Sequence, residues 1–387
     1  MVWLVRSVLR GRVPPETGVD VIVVGGGIAG VAAAYELAAR HCVTLLEQEP
    51  LLAYHTTGRS AALFVENYGS GALRPLTAAS RAFLDHPPDG FAEHALLTPR
   101  GAMTVARPDQ VGVAEQLFAA GRSRSPAVEW LAAAAARERC PALRPGYAAA
   151  AVWEPDAADI DVAALHQGFV QGARSRGATI ETAAALLRAR RSATGWEVDT
   201  TAGIRGCDMV VDAAGAWGDI VAERAGVAPV GLVPKRRTAF MVAAPRESAS
   251  WPMVIDADEG FYFKPDGEQM LCSPADTTPS DPVDARPEEV DVAMAIERIN
   301  AATTLGIRHV RSQWAGLRTF APDDAMVIGV DPDVAGFCWL VGQGGTGIQT
   351  ASAAARLAAA SIEGAPPPDD ILAAGLDPAA VAVDRLR

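Results

Sequence analysis

A βαβ unit near the N-terminus constrains the fold of this chain more than any other feature. The segment VDVIVVGGGIAGVAAAYELAARHCVTLLEQ covers residues 19–48. Residues 19–24 are apolar and mostly β-branched, which is typical of a strand buried on both faces of a parallel sheet. An alanine-rich stretch from Ile28 to Arg40 predicts a helix, and Val43 to Leu46 predicts the next strand. The segment therefore predicts an α/β fold with crossover helices.

The turn between the first strand and the helix has the spacing Gly25-x-Gly27-x-x-Gly30. In this spacing the first glycine permits a tight turn and the second lets the backbone approach a pyrophosphate. The third glycine lets the helix pack closely on the strand. Ile28 and Ala29 begin the helix, so their N–H groups are expected to face the phosphates. The turn is therefore predicted to bind a dinucleotide.

Two further features distinguish between the dinucleotides. Glu47 ends the second strand, where a carboxylate accepts hydrogen bonds from a ribose diol and disfavours the 2′-phosphate of NADP. A second glycine loop, GQGGTGIQTA (342–351), precedes another helix and can aim its N-terminus at developing negative charge. NAD dehydrogenases have no need of a glycine loop so far from the first, whereas the long, three-ringed head of FAD does. The sequence therefore predicts FAD as a resident cofactor.

Composition argues against several other classes of protein. The chain has 387 residues and a formal charge of −12, which disfavours nucleic acid as the main partner because phosphate binding needs a basic surface. Its five cysteines are scattered, so neither a disulfide framework nor a metal site is predicted. The six histidines lack metal-ligand spacing and are interpreted as core or surface residues. No apolar run is long enough for a transmembrane segment, and we expect a cytoplasmic protein with reduced thiols.

The alternation of secondary structure predicts two interleaved domains. Segments 19–85, 155–230 and 316–365 are predicted to build a Rossmann-like FAD-binding domain from discontinuous pieces. Segments 86–154 and 231–315 are predicted to form an α+β substrate domain with an antiparallel sheet, including a hairpin that turns at Asp266-Gly267. Composition also predicts a helix over Ala127–Ala136.

The two ends of the chain are predicted to lie outside these domains. Residues 366–387 are interpreted as a C-terminal tail. Residues 1–18 mix apolar residues with arginines that interrupt them, which does not fit a signal peptide. They are interpreted as an N-terminal extension. Three explanations stay open for it: a disordered tail, an upstream start site, or a segment that binds weakly to a surface.

Eight stretches carry a resemblance to a known family. In order, they are YHTTGRSAA, LTAASRAF, ADIDVAALHQG, DAAGAWGD, PKRRTAF, FYFKPD, WAGLRTFAPDD and GQGGTGIQT. Spread over almost the whole chain from Val19, they resemble the FAD-dependent D-amino acid oxidases and dehydrogenases, which include glycine oxidase and sarcosine oxidase. Within that family they are most similar to the bacterial D-arginine dehydrogenases. The resemblance implies an enzyme that oxidises the CH–NH2 group of an amino acid.

The resemblance also implies roles for individual residues. It implies that the first glycine loop and Glu47 bind the pyrophosphate and the ribose of FAD. Around the isoalloxazine ring it implies Gly58, Arg59, Ser60 and Ala61, with Ala214 and Gly215 beside the cofactor. On the far side of the ring it implies Gly344, Gly345, Thr346, Gly347, Ile348 and Gln349. For the substrate it implies that Arg318 binds a carboxylate while Arg237, Tyr68, Tyr262 and Gly345 close the pocket. The residues predicted to serve catalysis are Arg318, Tyr262 and Tyr68.

Elementary chemistry favours several of these residues independently. The guanidinium of Arg318 is a planar fork that matches a carboxylate with two parallel hydrogen bonds. Tyr262 stands between two phenylalanines in an alternating strand, so its face is expected to be opposite theirs. Arg236 and Arg237 are adjacent in a predicted strand, so only one of them is expected to face the pocket.

Three positions depart from the family pattern. Members that oxidise D-arginine carry a histidine where this chain has Leu63, and a glutamate that pairs with the cationic side chain where it has Ala102. A buried cation without a partner is costly, so we expect a substrate side chain that is neutral or apolar. Glu66 is a candidate replacement carboxylate, although a solvated position is favoured for it. Gly316 stands where some members carry a cysteine linked to the flavin, so non-covalent FAD is predicted.

The predicted reaction is the oxidation of a D-amino acid. Arg318 would hold the carboxylate with the Cα–H aimed at flavin N5, and hydride loss from the neutral amine would give an imino acid that hydrolyses to a 2-keto acid and ammonia. Glycine, a secondary N-methyl amine such as sarcosine and a 2-hydroxy acid stay open as substrates. A non-catalytic dinucleotide-binding sensor is the alternative from another class. The electron acceptor stays open between oxygen, a quinone and a carrier.

Overall fold

A computed structural model describes residues 18–387, so most of the predicted N-terminal extension lies outside the described residues. The α-helices in this range are α1 Ile28–Leu37, α2 Arg74–Asp85, α3 Val111–Arg122, α4 Ala133–Arg139, α5 Val162–Ser175, α6 Gly218–Arg224, α7 Glu289–Ala302, α8 Gly347–Ile362 and α9 Asp369–Ala373.

The strands in the same range fall into four sheets. They are β1 Asp20–Val24, β2 Cys42–Leu46, β3 Leu63–Phe64, β4 Leu97–Pro99, β5 Ala102–Ala106, β6 Glu129–Ala132, β7 Ala150–Glu154, β8 Ala158–Ile160, β9 Thr179–Glu181, β10 Leu186–Ser192, β11 Gly195–Thr200, β12 Gly203–Cys207, β13 Met209–Asp212, β14 Val233–Ala243, β15 Met253–Asp256, β16 Tyr262–Asp266, β17 Gln269–Ser273, β18 Ser312–Phe320, β19 Val327–Val330 and β20 Phe337–Val341.

A six-stranded sheet of order β19-β20-β13-β1-β2-β9 carries the predicted βαβ unit. Its neighbouring strands run parallel except for β19 against β20. The register pairs Val24 with both Leu46 and Asp212, so β1, β2 and β13 end level with one another. The loops that follow these strands therefore meet at one edge of the sheet, where ligands bind in doubly wound folds.

Helix α1 packs between α5 and α8 over this sheet. Its alanines Ala32, Ala33 and Ala34 are fully buried, and on α8 so are Ala353 and Ala355. Such small side chains let the helix axes approach closely. The alanine-rich composition of both helices thus builds the core behind the ligand-binding edge.

An eight-stranded sheet has the order β18-β14-β17-β16-β15-β5-β7-β6 and is antiparallel except where β15 runs beside β5. The long pairing of β14 with β18 sets Lys235 opposite Arg318 and Arg237 opposite Gly316. Residues two apart on a strand share a face, so Arg237 and Arg318 are diagonal neighbours on one face. Two three-stranded sheets, β10-β11-β12 and β3-β8-β4, complete the fold.

The predicted α/β fold class is confirmed, as is the hairpin at Asp266-Gly267 between β16 and β17. The predicted helix over Ala127–Ala136 is wrong in its first half, because Glu129–Ala132 pairs with β7 as an edge strand and the helix begins only at Ala133. Pairing with a neighbouring strand here outweighs the helical preference of the alanines. Strand β18 belongs to the eight-stranded sheet, so the predicted domain boundary at residue 316 falls within it. None of the described helices is both long and apolar enough to cross a membrane.

Candidate active site

A cavity runs from the edge of the six-stranded sheet to the face of the eight-stranded sheet, and is called the main cavity below. At one end it is lined by the first glycine loop and Glu47. Its middle is lined by residues of the 53–61 loop, of the 213–217 loop and of the second glycine loop. Its far end reaches Arg237, Tyr262 and Arg318. The structure thus brings together residues that are distant in sequence and were predicted to form one site.

The first glycine loop shows two different uses of glycine. Gly25 has a φ of +111°, and a Cβ there would lie 2.5 Å from the carbonyl oxygen of Ala213. A Cβ on Gly30 would lie only 1.8 Å from the carbonyl oxygen of Gly25. At Gly27 the nearest atom to a Cβ would be Thr57 Oγ1, at 3.2 Å. The packing of the protein itself therefore requires Gly25 and Gly30, whereas Gly27 keeps space open on the cavity side.

Glu47 is buried beside this loop and holds it in place. Its Oε2 accepts a hydrogen bond from the Gly26 N–H at 2.7 Å, and its Oε1 accepts one from the Glu49 N–H at 2.8 Å. Each carboxylate oxygen can accept a further hydrogen bond, so the group keeps capacity for the hydroxyls of a ribose. This position agrees with the role predicted for Glu47.

His166 on α5 holds the other side of the same peptide. Its Nε2 lies 3.0 Å from the Gly26 carbonyl oxygen, and its side chain is buried. Burial lowers the pKa of His166 below its ordinary value, so the ring is neutral and donates one N–H to that carbonyl. The sequence predicted only a core or surface role for this histidine, because nothing local to it shows a contact made from so far along the chain.

The second glycine loop presents the start of α8 to the main cavity. Gly344 has a φ of +54°, and its N–H donates to the Thr319 carbonyl at 2.8 Å. Gly345, Gly347 and Ile348 line the cavity. A helix that begins here directs its positive dipole end at the space beside them, as predicted.

The remaining members of this loop serve mainly to hold it. The Thr346 hydroxyl donates to the Gln343 carbonyl at 3.0 Å. The Gln349 amide donates to Thr77 Oγ1 and accepts from the Val65 N–H, each at 3.0 Å. These bonds fix the loop against α2 and the chain that precedes it.

Arg59 borders the main cavity, but its guanidinium is bonded to the protein. It forms an ion pair with Asp284 and donates to the carbonyls of Ala285 and Ala315, the latter at 2.9 Å. Its own carbonyl accepts a hydrogen bond from the Trp314 indole at 2.9 Å. Arg59 therefore fastens its loop to β18 and to the segment before α7, while it also lines the main cavity.

His55 and Trp217, which the sequence did not single out, lie on the wall of the main cavity, and Glu49 lies beside His55. His55 and Trp217 both line it, with ring centroids 4.6 Å apart. His55 Nε2 also lies 3.0 Å from Glu49 Oε1. The spacing of the histidines gave no signal for this position, because the contact depends on the loop that follows β13.

A second, smaller cavity adjoins the far end of the main cavity, and is called the substrate cavity below. It is lined by Ser60, Ala61, Ala62, Leu63, Val65, Tyr68, Arg237, Met253, Ile255, Glu259, Tyr262, Ala275, Arg318, Gly345, Ile348 and Gln349. Several of these residues, Arg237, Tyr262 and Arg318 among them, also line the main cavity. The two cavities therefore meet at the predicted substrate residues.

Arg318 and Tyr68 are joined directly in this cavity. Arg318 Nη1 donates a hydrogen bond to the Tyr68 hydroxyl at 2.9 Å. Burial opposes the charge on Arg318, but Tyr68, Tyr262 and the carboxylate of Glu259 together favour it, so that its pKa lies above the ordinary value. Arg318 is therefore a half-buried cation with capacity for an anionic ligand.

The two adjacent arginines of β14 face opposite sides of the sheet, as predicted. Arg236 forms ion pairs with Asp276, Glu288 and Asp291. Arg237 lines both cavities, and its Nε is buried with no hydrogen-bond partner in the described chain. The site therefore holds two guanidinium groups, those of Arg237 and Arg318.

Some predicted residues lie away from the ligand space. Ala102 is buried and packs with Val65 and Ala157 behind the lining of the substrate cavity, because β5 is covered by these neighbours. A Cβ on Gly58 would lie 2.4 Å from the Ala53 carbonyl oxygen, so this glycine serves the turn itself. Glu66 lines neither cavity. The carboxylate that does line the substrate cavity is that of Glu259, in the turn between β15 and β16.

The described chain offers no metal centre and no thiol at the site. No group of three or more His, Cys, Asp or Glu side chains suited to a metal lies within residues 18–387. All five cysteines belong to this range, none of them forms a disulfide there, and none of them lines either cavity. A Cβ on Gly316 would lie 3.5 Å from Thr56, so there is space at the position where a linking cysteine was considered.

The main cavity fits FAD by its own geometry. One end has the open Gly27 position, the start of α1 and the hydrogen-bonding capacity of Glu47, which suit the pyrophosphate and the ribose. The other end has the start of α8 against apolar and backbone groups, which suits a ring that takes on negative charge.

Comparison with known proteins agrees with this geometry. The chain matches the family model described as FAD dependent oxidoreductase (DAO) over residues 20–361. It is 26% identical over 341 residues to glycine oxidase from Geobacillus kaustophilus, a match that covers 85% of this chain and 89% of that protein. A shorter match, 33% identical over 175 residues, joins 40% of this chain to 35% of FAD-dependent oxidoreductase domain-containing protein 1 from Bos taurus.

Solved structures share the fold over nearly the whole chain. Glycine oxidase from Geobacillus kaustophilus has a TM-score of 0.82 at 24% identity, covering 93% of this chain and 98% of that one. L-proline dehydrogenase from P. horikoshii has a TM-score of 0.79 at 19% identity, with coverages of 92% and 95%. L-amino acid deaminase from Proteus vulgaris has a TM-score of 0.78 at 19% identity, with coverages of 97% and 95%. At these identities the likeness shows a common fold.

The chain belongs to the FAD dependent oxidoreductase (DAO) family, because the family model matches most of its length. FAD is therefore its cofactor, as the sequence predicted. The closer likeness to D-arginine dehydrogenases stays a prediction, as do the roles of single residues and the division into domains.

Proposed function

We propose that the protein oxidises the CH–NH2 group of a D-amino acid with non-covalently bound FAD. The observation that carries this proposal is Arg318, a half-buried cation at the junction of the two cavities that donates a side-chain hydrogen bond to the phenol of Tyr68. An amino acid carboxylate is the ligand that best matches a guanidinium in such a site. The absence of cysteine from both linings supports non-covalent FAD.

The reaction requires the α-carbon to be held between Arg318 and the cofactor. Arg318 and the Tyr68 hydroxyl bind the carboxylate, and Tyr262 closes the cavity beside them. The Cα–H bond breaks, the hydrogen leaves with its electron pair, and the nitrogen lone pair forms the C=N bond. FAD, when bound, supplies the acceptor for that hydride. Water then adds to the imino carbon and ammonia leaves, which gives a 2-keto acid.

No side chain is needed to remove the α-proton in this scheme, because hydrogen departs as hydride. The amine must be neutral before that step, and Leu63 offers no base where related enzymes have a histidine. Fixed orientation by Arg318 and Tyr68 therefore supplies much of the rate. The side chain of the substrate is proposed not to be cationic. Neither Ala102 nor Glu66 places a carboxylate in the substrate cavity, and the carboxylate that does line it, that of Glu259, is exposed to water.

Glycine is a second candidate substrate, favoured by the match to a glycine oxidase along most of the chain. A small substrate also suits a cavity of about 80 Å³ beside the larger main cavity of about 190 Å³. Sarcosine and 2-hydroxy acids are tested alongside it, although a 2-hydroxy acid would need a base for its hydroxyl proton.

The test is anaerobic bleaching of the flavin absorbance of the purified protein by a panel of substrates. The panel holds D-amino acids, their L-enantiomers, glycine, sarcosine and 2-hydroxy acids. We expect fast bleaching by D-amino acids and little by D-arginine. Bleaching by glycine or sarcosine alone would identify those amines as the substrates in place of D-amino acids. Bleaching by L-enantiomers would overturn the proposed preference for the D-configuration. A flavoprotein that no member of the panel reduces would overturn the amine oxidation as a whole.

A further inference from the structure

The substrate cavity contains more positive charge than one carboxylate can balance. Arg237 and Arg318 lie on adjacent strands of one sheet, as diagonal neighbours on the same face. Both line the cavity, and the proposed function uses only Arg318 for the single carboxylate of an amino acid. The second guanidinium therefore needs a separate explanation.

The protein does not neutralise Arg237 as it neutralises the residue beside it. Arg236, one position earlier, has Asp276 and Asp291 within 3.2 Å and 2.6 Å of its guanidinium nitrogens. Arg237 has a buried Nε without a hydrogen-bond partner, and its guanidinium carbon lies 6.0 Å from the Tyr262 ring. The same strand thus satisfies one arginine completely within the protein and leaves its neighbour facing ligand space.

The charged groups around Arg237 confirm the imbalance. Those that act on it are the cation of Arg318 and the carboxylate of Glu259, with the phenols of Tyr262 and Tyr68 nearby. Burial, together with the charge of Arg318, lowers the pKa of Arg237. Glu259 is exposed at the turn before β16 and forms no ion pair with either arginine, so water screens its charge. Two half-buried positive charges therefore face one screened negative charge.

We infer that Arg237 binds a second carboxylate of the substrate, so that the enzyme prefers short D-amino dicarboxylates such as D-aspartate and D-glutamate. This inference rests on the proposed function, in which Arg318 binds the first carboxylate. A guanidinium without a hydrogen-bond or ion-pair partner gains the most from a ligand anion, because part of its desolvation has already occurred in the fold. The small cavity limits the distance between the two carboxylates.

The inference departs from the prediction of a neutral or apolar substrate side chain made from the sequence, since it proposes an anionic one. That prediction took into account the missing carboxylate at Ala102, which argues against cationic side chains. It could not include the absence of any acidic partner for Arg237, because the partners of a strand residue depend on which face of the sheet it occupies.

The first experiment compares D-aspartate with D-asparagine and D-glutamate with D-glutamine, pairs that differ in charge and hardly in size. We expect kcat/KM for each dicarboxylate to exceed that for its amide by about tenfold or more, as for a charge-assisted contact. Amides that are oxidised as well as the acids would overturn the inference and leave the proposed function intact. If no amino acid is oxidised, the proposed function itself fails.

The second experiment uses the variants Arg237→Met, Arg237→Lys and Glu259→Gln. Arg237→Met is expected to lower kcat/KM for D-aspartate at least about tenfold more than kcat/KM for D-alanine. Arg237→Lys should restore part of the loss, since it keeps the charge and loses the fork. Glu259→Gln, which removes an opposite charge from the same cavity, should keep or increase the preference for dicarboxylates.

An equal fall for D-aspartate and D-alanine in Arg237→Met would overturn the inference, because it would place Arg237 on the carboxylate that both substrates share. Binding gives a readout that does not depend on turnover or on the variants. Calorimetric titration of the FAD-loaded wild-type protein should show tighter binding of succinate than of propionate, by about tenfold. Equal affinity for the two would also contradict a second carboxylate site.

Discussion

The 2.9 Å hydrogen bond from Arg318 Nη1 to the Tyr68 hydroxyl joins β18 to the loop before α2. It connects residues 250 positions apart in the sequence and sets the Tyr68 ring over the guanidinium side of the substrate cavity. The phenol thereby holds one arm of the guanidinium, and the rest of the fork faces ligand space. Tyr68 is accordingly part of the proposed anion site and not only part of its wall.

Replacing Tyr68 by phenylalanine tests that relationship. A hydrogen bond to a charged group contributes about 1.5–3 kcal/mol, so kcat/KM for the best substrate of Tyr68→Phe should fall about 10- to 100-fold. The flavin spectrum and FAD content should stay unchanged, because Tyr68 does not line the main cavity. Tyr147→Phe, which removes a hydroxyl near Arg107, is the matched control and should keep full activity. Unchanged kcat/KM in Tyr68→Phe would show that the hydroxyl takes no part in substrate binding.

The glycines of the first loop should separate folding from cofactor binding. In Gly30→Ala the new Cβ meets the Gly25 carbonyl oxygen, so we expect a loss of more than about 3 kcal/mol in unfolding free energy. In Gly27→Ala the nearest protein atom is 3.2 Å away, so the apoprotein should fold while FAD binds about tenfold more weakly or worse. Thermal unfolding of apoprotein and FAD titration measure the two effects. Equal losses of unfolding free energy in the two variants would contradict the assignment of Gly30 to folding and of Gly27 to cofactor binding.

Glu47 should contribute to FAD affinity through hydrogen bonds of its charged carboxylate. Glu47→Gln keeps the shape but weakens the acceptor for the Gly26 N–H and for a ribose hydroxyl, so the FAD dissociation constant should rise about tenfold or more. The control is Glu363→Gln, a surface position paired with Arg40. Fluorescence titration of apoprotein with FAD gives the constants, and identical values for both variants would remove Glu47 from the cofactor site.

His166 should make stability depend on pH in a defined direction. Burial lowers its pKa in the folded protein, so the unfolded chain binds the proton more readily. The contribution of His166 to the free energy of unfolding is therefore complete above its ordinary pKa of about 6.5. It is lost as the pH falls through the lower pKa of the folded protein. His166→Gln keeps a donor for the Gly26 carbonyl and cannot titrate. Denaturant unfolding between about pH 7 and pH 5 should show a smaller loss of unfolding free energy in His166→Gln than in the wild type. Parallel pH curves would exclude this role.

The parts of the site that could be predicted from sequence are those in which neighbours along the chain are also neighbours in space. The Gly25–Gly30 turn and Glu47 belong to one βαβ unit, so spacing alone places them at one edge of a sheet. The opposite faces of Arg236 and Arg237 follow from strand periodicity in the same way. The structure agrees with both.

The contacts that could not be predicted join residues far apart in sequence. Tyr68 meets Arg318, and His166 meets the carbonyl of Gly26, only because separate elements pack together. Arg59 lines the main cavity, and its position beside the flavin ring stays a prediction, but the bonds of its guanidinium to Asp284 and two carbonyls gave no signal in the sequence. Glu66 was considered as a carboxylate for the substrate, yet Glu259 lines the cavity. Residue type shows which chemistry a side chain can perform, and tertiary contacts decide whether it faces the ligand or the protein.

The bonds of the 56–59 loop to β18 have a consequence for how this enzyme can change its substrate. Thr56 donates to the Leu317 carbonyl, and Arg59 exchanges hydrogen bonds with Ala315 and Trp314. The strand that carries Arg318 therefore also anchors a loop that lines the main cavity. Substitutions within β18 should therefore alter flavin retention and substrate binding together. New specificities are expected to evolve through side chains that line the substrate cavity alone, such as Leu63 and Glu259, because substrate binding can change there without a change in flavin retention.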